Sequence, residues 1–145
     1  MIISSHVGAG ALVGTAVRQP VPAFLLGFAS HLAMDALPHW GLPPGGNWLP
    51  VARRDGVAGL VEIGLITAAA PTDRRIAVLA GMIGACLPDT DKLGTYFFKR
   101  NPWPEPFNRF HARIQRESAH RLPREVLTAA TLGAVALAIL GSSRS

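Results

Sequence analysis

His31 and Asp35 stand four residues apart inside an otherwise apolar stretch, Val21–Met34 with Asp35 at its end. On a helix, positions i and i+4 share a face, so an imidazole and a carboxylate at this spacing can chelate one cation without moving the backbone. Burying both among apolar side chains is costly unless they are paired or bind an ion. The spacing therefore points to a pair of metal ligands. The plainer alternatives are a His–Asp hydrogen bond, or Asp35 simply closing the helix end. His39, just past Pro38, either folds back toward the pair or lies on the surface beside Trp40.

A second acidic element is Pro88-Asp89-Thr90-Asp91, at the expected end of an apolar helix. Carboxylates near a helix C-terminus oppose its dipole, so positive charge should offset them. That charge is either a bound cation, which Asp89 and Asp91 can hold or bridge, or Lys92 acting as counterion of an acidic turn. His6 lies in the first turn of the first expected helix, on a face shared with Gly10, Val13 and Val17. It is either a further ligand or a satisfied core histidine. At about 100° per residue, a helix through Phe107–Arg116 puts Arg109, Arg113 and Arg116 on one face and Phe107, His111 and Ile114 on the other. His111 then points inward and can meet the other ligands, whereas His120 falls on the arginine face. The arginine row either holds a phosphate group or anionic lipid, or is an ordinary solvated face. Glu62 stands alone in Val57–Ala70 as an extra ligand, a general base or the partner of a core arginine.

These residues need elements to position them, and the apolar periodicity supplies helices. Ser4 or Ser5 is expected to cap a first helix to about Arg18, stopped by Gln19-Pro20. A second covers Ala23 to Ala36. The segment His39–Pro50, with Gly41, Pro43, Pro44, Gly45 and Gly46, reads as a loop. Asp55 is expected to cap a third helix to about Ala70, and Pro71-Thr72-Asp73 to start a fourth ending at Leu87-Pro88. A polar, aromatic stretch follows to Pro104, then a basic fifth helix over Glu105–Ala119 and a sixth over Pro123–Leu140. No alternating pattern competes with these. The expected fold is all-α, one domain over residues 1–145, a compact bundle of about five to six helices.

Hydrophobic residues make up 49% of the 145 and charged residues only 16%, against roughly 25% charged in soluble domains. Mean hydropathy is +0.28. The net charge of +5 favours anionic partners such as phospholipid headgroups or phosphate esters. Nucleic acid is suggested by charge and the arginine row alone, and the apolar helices speak against it. Cys86 is the lone cysteine, which excludes an intrachain disulfide and a cysteine zinc cluster. The uncharged runs are mostly shorter than the roughly 20 residues that span a bilayer. Arg53-Arg54 and Arg74-Arg75 flank the third helix at both ends and give no orientation signal. Glycines in the first, third and fourth helices suit close packing in lipid. The expectation is a bundle seated on, or partly in, a membrane.

Taken in order, Ser5-His6, the His-x-x-x-Asp-x-x-Pro-His from His31 to His39, the Gly-x-x-Gly-x-x-x-Pro-Asp-x-Asp from Gly81 to Asp91, and Phe110-His111-Ala112-Arg113-Ile114-Gln115 form a pattern. It resembles the small bacterial membrane-bound metal-dependent hydrolases. More distantly it is similar to the all-helical fold of zinc-dependent phospholipase C and single-strand nucleases, where His and Asp ligands converge inside a bundle. Many members of the resembled family carry a compact His-Arg-Gly-x-Thr-His-Ser after the acidic motif, whereas here His111 and His120 are nine residues apart. One or two ions are implied rather than three.

The resemblance implies metal ligands at His6, His31, Asp35, Asp89, Asp91 and His111, and a divalent ion with Zn²⁺ the first choice and Mn²⁺ or Fe²⁺ open. It implies hydrolysis of a phosphoester, a phospholipid among the candidates, at the cytoplasmic membrane. Asp89 or Asp91 would take the proton and Arg109 or Arg113 would steady the anion. The competing expectation is a non-catalytic membrane protein in which the same residues hold a structural ion.

Overall fold

The computed structural model describes residues 1–42 and 46–142, apart from the side chains of 96 and 97. Pro43, Pro44 and Gly45 of the expected loop lie outside the described residues. The chain is mostly helical: α1 (Ile3–Val17), α2 (Pro20–Asp35), α3 (Leu49–Ala69), α4 (Arg75–Cys86), α5 (Thr90–Phe98), α6 (Glu105–Ile114) and α7 (Leu122–Ser142). Two-residue strands β1 (Pro38–His39) and β2 (Arg116–Glu117) pair in parallel.

α1 is the central helix, packed against α2, α3, α4 and α7. The apolar core around it is formed by Val7, Ala11, Ile66, Ala70, Val78, Met82, Ala136 and Leu140. Small residues let α4 lie close to its neighbours. A side chain at Gly10 would run into the carbonyl of Gly81, and one at Gly84 into the carbonyl of Phe24. These approaches hold α4 against α1 and α2, and at one end of the bundle His31 near the end of α2 reaches the Ala85 carbonyl of α4 and stacks on His6 of α1. All three chemistry-bearing termini thus meet at one end of the bundle.

The caps differ from expectation. Ser4 and Ser5 lie inside α1, and Asp55 lies inside α3. Asp55 instead accepts the backbone N–H groups of Ile3 and Ser4 and the Ser4 hydroxyl, while Glu125 of α7 accepts the N–H of Ile2 at 2.6 Å. The first N–H groups of a helix have no partner within it and carry its positive end, so a carboxylate answers them better than a serine hydroxyl. Two distant acids thereby fix the start of α1, and with it His6.

Other boundaries shift for local reasons. Leu49-Pro50 begins α3 earlier than expected, because proline is well placed in the first turn. The polar, aromatic stretch contains α5. The fifth expected helix stops at Ile114 as the chain turns extended at Gln115 to form β2. Among the described residues one helical stretch, Ala119–Ser142, is long and apolar enough to cross a membrane. The outward faces of α2, α3, α4 and α7 nevertheless carry Leu25, Leu60, Leu65, Ile76 and Leu127 with more than half of each residue exposed.

Candidate metal centre

His31 and Asp35 occupy the last two turns of α2, and Asp89 follows α4 in a short 3-10 helix over Leu87–Asp89. His111 comes from α6, which is held against α2 by an aromatic cluster. Phe28 lies 5.8 Å from Phe107 and 5.9 Å from Trp103, between ring centres. The amphipathic reading of this helix holds, since His111 is buried while Arg109 and Arg113 face outward.

One ligand atom each from His31, Asp35, Asp89 and His111 lies within 4.8 Å of the others. His31 Nε2 is 3.1 Å from Asp35 Oδ2, 3.1 Å from His111 Nε2 and 3.8 Å from Asp89 Oδ1; His111 Nε2 is 2.9 Å from Asp35 Oδ2. None of the four is more than 9% exposed. His6 joins them: its Nε2 is 3.4 Å from Asp35 Oδ1 and its ring stacks on that of His31 at 3.8 Å.

Hydrogen bonds behind the cluster set the tautomers. His31 Nδ1 is 2.7 Å from the carbonyl of Ala85, one of the last carbonyls of α4, which lack a partner within the helix. A carbonyl only accepts, so Nδ1 carries the hydrogen and Nε2 turns its lone pair to the cluster. Asp91 Oδ2 faces His111 Nδ1 at 3.5 Å. Asp91 therefore sits behind His111, where it orients the ring, and not among the converging ligand atoms.

The electrostatics fit a site for positive charge. Burial opposes the charge of Asp89, but Lys92, whose Nζ donates to Asp89 Oδ1, outweighs it together with His6 and His31, and the carboxyl is held at about 2. Burial also opposes a charge on His111, but its hydrogen bonds to Asp35 and Asp91 raise it to about 9. Without an ion, a proton on His111 thus occupies the space between Asp35 and His31.

Gln115, which the sequence did not single out, and His39, whose two alternatives the sequence left open, complete this neighbourhood. Gln115 donates from Nε2 to Asp35 Oδ2 at 2.8 Å, and its Oε1 is 2.8 Å from His39 Nε2. His39 is buried, bonded through Nδ1 to Leu37 O, and not on the surface. The β1–β2 pairing delivers both, through His39↔Glu117 and a Ser118 N–H to His39 O bond. One signal was present: Gln115 follows His111 at the spacing by which Asp35 follows His31.

The remaining candidates lie elsewhere. Arg109 is exposed and faces Glu105 across 4.0 Å, Arg113 is exposed, and His120 is exposed as anticipated. Glu62 points its Oε1 toward Gly133 of α7, outside the cluster, with no hydrogen-bond partner among the described residues.

Two imidazoles and two carboxylates, buried and facing each other, could hold a divalent ion. The fit is strengthened by His6, whose Nε2 reaches Asp35 Oδ1 at 3.4 Å while its buried Nδ1 has no hydrogen-bond partner among the described residues. A polar atom left this way is costly unless something coordinates it. Comparison with family models, curated proteins and solved structures finds no match for this chain. The fold and the site define a helical bundle with a buried His/Asp cluster able to hold a metal ion, whose identity the donor set leaves open.

Proposed function

We propose that this chain is a metal-dependent hydrolase of a phosphoester, held at the cytoplasmic membrane, with a phospholipid as the substrate its surface favours. The observation that carries the reading is the buried convergence of His31, Asp35, Asp89 and His111. Their Nε2 and carboxylate atoms would hold the ion, with Zn²⁺ the first choice for this mixture of donors. When bound, a divalent ion supplies Lewis acidity toward a phosphoryl oxygen and acidifies a water molecule.

The chain's own residues do the rest. Asp35 accepts from His111 and Gln115, which holds its carboxylate in one orientation. Asp91 fixes the His111 ring from behind. Asp89 stays ionised through Lys92 and is one of the four ligands, so the carboxylate that would take a proton is Asp91, beside the cluster. Positive charge for an anionic substrate comes from Lys92 and from Arg121 and Arg124 rather than from Arg109 and Arg113. Arg121 and Arg124 line a cavity of about 70 Å³ together with Met1 and His39, next to the hydrogen-bond chain that ends at Asp35. The membrane part of the reading rests on α7, on the apolar side chains exposed along α2, α3 and α4, and on backbone packing through glycine.

A second reading has an observation of its own. The cluster is so enclosed that an ion there could be structural, with no position left for substrate. Hydrolysis of a chromogenic phosphodiester and of phospholipid vesicles by the ion-loaded chain decides between them. Turnover that chelator abolishes and ion restores supports the hydrolase. An ion bound at full occupancy, with no turnover on either substrate, favours the structural ion.

A further inference from the structure

The ring of His39 faces an oxygen at each nitrogen. Nδ1 lies 2.8 Å from the carbonyl oxygen of Leu37, and Nε2 lies 2.8 Å from Gln115 Oε1. The Gln115 amide is held in that sense, because its Nε2 donates to Asp35 Oδ2 and the reversed amide would set an oxygen against the carboxylate. A neutral imidazole has one N–H, so both bonds stand only when both nitrogens carry hydrogen and the ring is cationic. His39 is 2% exposed, and a buried charge needs an opposite one beside it. The two nearby carboxylates are engaged elsewhere. Asp35 is shared by His6, His31, His111 and the Met1 ammonium, while Glu125 turns its two oxygens to the N–H groups of Ile2 and Trp40.

His39 also stands in the wall of the cavity of about 70 Å³, together with Arg121, Arg124, Glu125 and Thr128. Neither guanidinium forms an ion pair among the described residues. Three cations thus face one carboxylate whose oxygens are both taken. A space of this size has room for several waters or for one tetrahedral oxyanion. Arg124 and Thr128 are exposed, which leaves a way in from solvent.

We propose that this cavity is a second, separate site that takes a phosphate group and holds it without cleaving it. The inference rests on the phosphoester reading for its choice of anion. Arg121 and Arg124 supply the planar donors that suit phosphate oxygens, and the anion's charge answers that of His39. His39 and Gln115 stand between the cavity and Asp35, so a phosphate here does not reach the metal ligands. The shared chemistry is the phosphate group, which a lipid headgroup and free phosphate both offer.

Calorimetry of inorganic phosphate with the chelator-treated full chain tests the site apart from any ion and any turnover. One phosphate per chain is expected, bound about tenfold or more weakly in Arg121→Gln and in Arg124→Gln, since each loses a charge-assisted hydrogen bond. Arg124 is exposed, so Arg124→Gln should melt with the wild type. In the phosphate-bound wild type, the ring-nitrogen resonances of His39 should be those of an imidazolium. Vesicles of phosphatidylcholine with and without phosphatidate identify the source. Binding that phosphatidate strengthens, that free phosphate competes away and that Arg124→Gln loses assigns a lipid headgroup. Phosphate binding with no effect of phosphatidate assigns the free anion. No saturable phosphate binding by the ion-free chain, or equal affinity in all three proteins, overturns the site and leaves the metal centre intact. A neutral His39 in the phosphate-bound chain overturns its part in the site. Phosphate bound here by a chain that hydrolyses nothing overturns the hydrolase reading alone.

Discussion

His31 Nδ1 donates to the carbonyl oxygen of Ala85 across 2.7 Å, joining the end of α2 to the end of α4. This bond connects fold to chemistry. α4 ends at Cys86 before Leu87-Pro88, so the Ala85 carbonyl has no N–H from its own helix to accept. The imidazole answers it and is thereby committed to one tautomer, with Nε2 free for a cation. The same helix end carries the chain into the turn that presents Asp89.

The proton on His111 makes cation binding dependent on pH. His111 is raised to about 9 in the ion-free protein, and a ligating imidazole must be neutral. Below pH 9 each ion bound at His111 should therefore displace about one proton, and apparent affinity should rise about tenfold per pH unit. Calorimetry in buffers of different ionisation enthalpy reads this proton release directly. An affinity that stays flat between pH 6.5 and 8.5 contradicts it.

The same group sets a pH window for the stability of the ion-free chain. Its folded value lies above the value of about 6.5 for an unfolded histidine. The stability it contributes is present in full below about pH 6.5 and is lost as pH rises through about 9. The melting temperature of chelator-treated protein should fall across that window, and in His111→Gln this part of the fall should vanish.

Asp35→Asn separates the metal role of Asp35 from its structural one. The change keeps the shape but removes the charge that accepts from His111 and Gln115. The ion-free chain should lose about 1–3 kcal/mol through those weakened bonds. The ion-loaded wild type should lose more, because the binding energy goes as well. Melting curves of both proteins with and without chelator check this. If chelator leaves the wild type unmoved, the metal role is excluded.

Asp55→Ala tests the cap that holds α1. The N–H groups of Ile3 and Ser4 and the Ser4 hydroxyl lose their acceptor, a cost of about 1–2 kcal/mol by analogy with lost N-caps. Chemical denaturation measures it. Arg109→Ala, on the exposed face, should leave both stability and ion affinity within error.

Much of the centre was legible in the sequence because its signals are local. The i, i+4 spacing of His31 and Asp35 sets them on one helical face, and the helical period sends His111 inward and Arg109 outward. Asp89 was flagged by the conflict between a carboxylate and a helix C-terminus. What escaped depends on distant partners. Asp55 reads as the cap of its own helix until α1 is packed against α3. Gln115 escaped, and the choice between a folded-back and a surface His39 stayed open, because the strands that join them have two residues each, too short to leave a periodicity. Asp91 is indistinguishable from Asp89 by spacing, and only the orientation of His111 puts it behind the ring. α5 was hidden, although Leu93, Tyr96 and Phe97 stand at helical spacing, because its nine residues include Thr90, Gly94 and Thr95, which favour helices poorly.

Whether the chain holds a divalent ion is the claim on which the rest depends, and elemental analysis of the purified protein, combined with melting curves in chelator, tests it most directly. At least one tightly bound divalent ion per chain is expected, with a melting temperature lowered by chelator and restored by the ion, and loss of the ion in His31→Ala. A wild-type chain that carries no ion after exposure to Zn²⁺, Mn²⁺ and Fe²⁺, and melts at the same temperature with and without chelator, would contradict it.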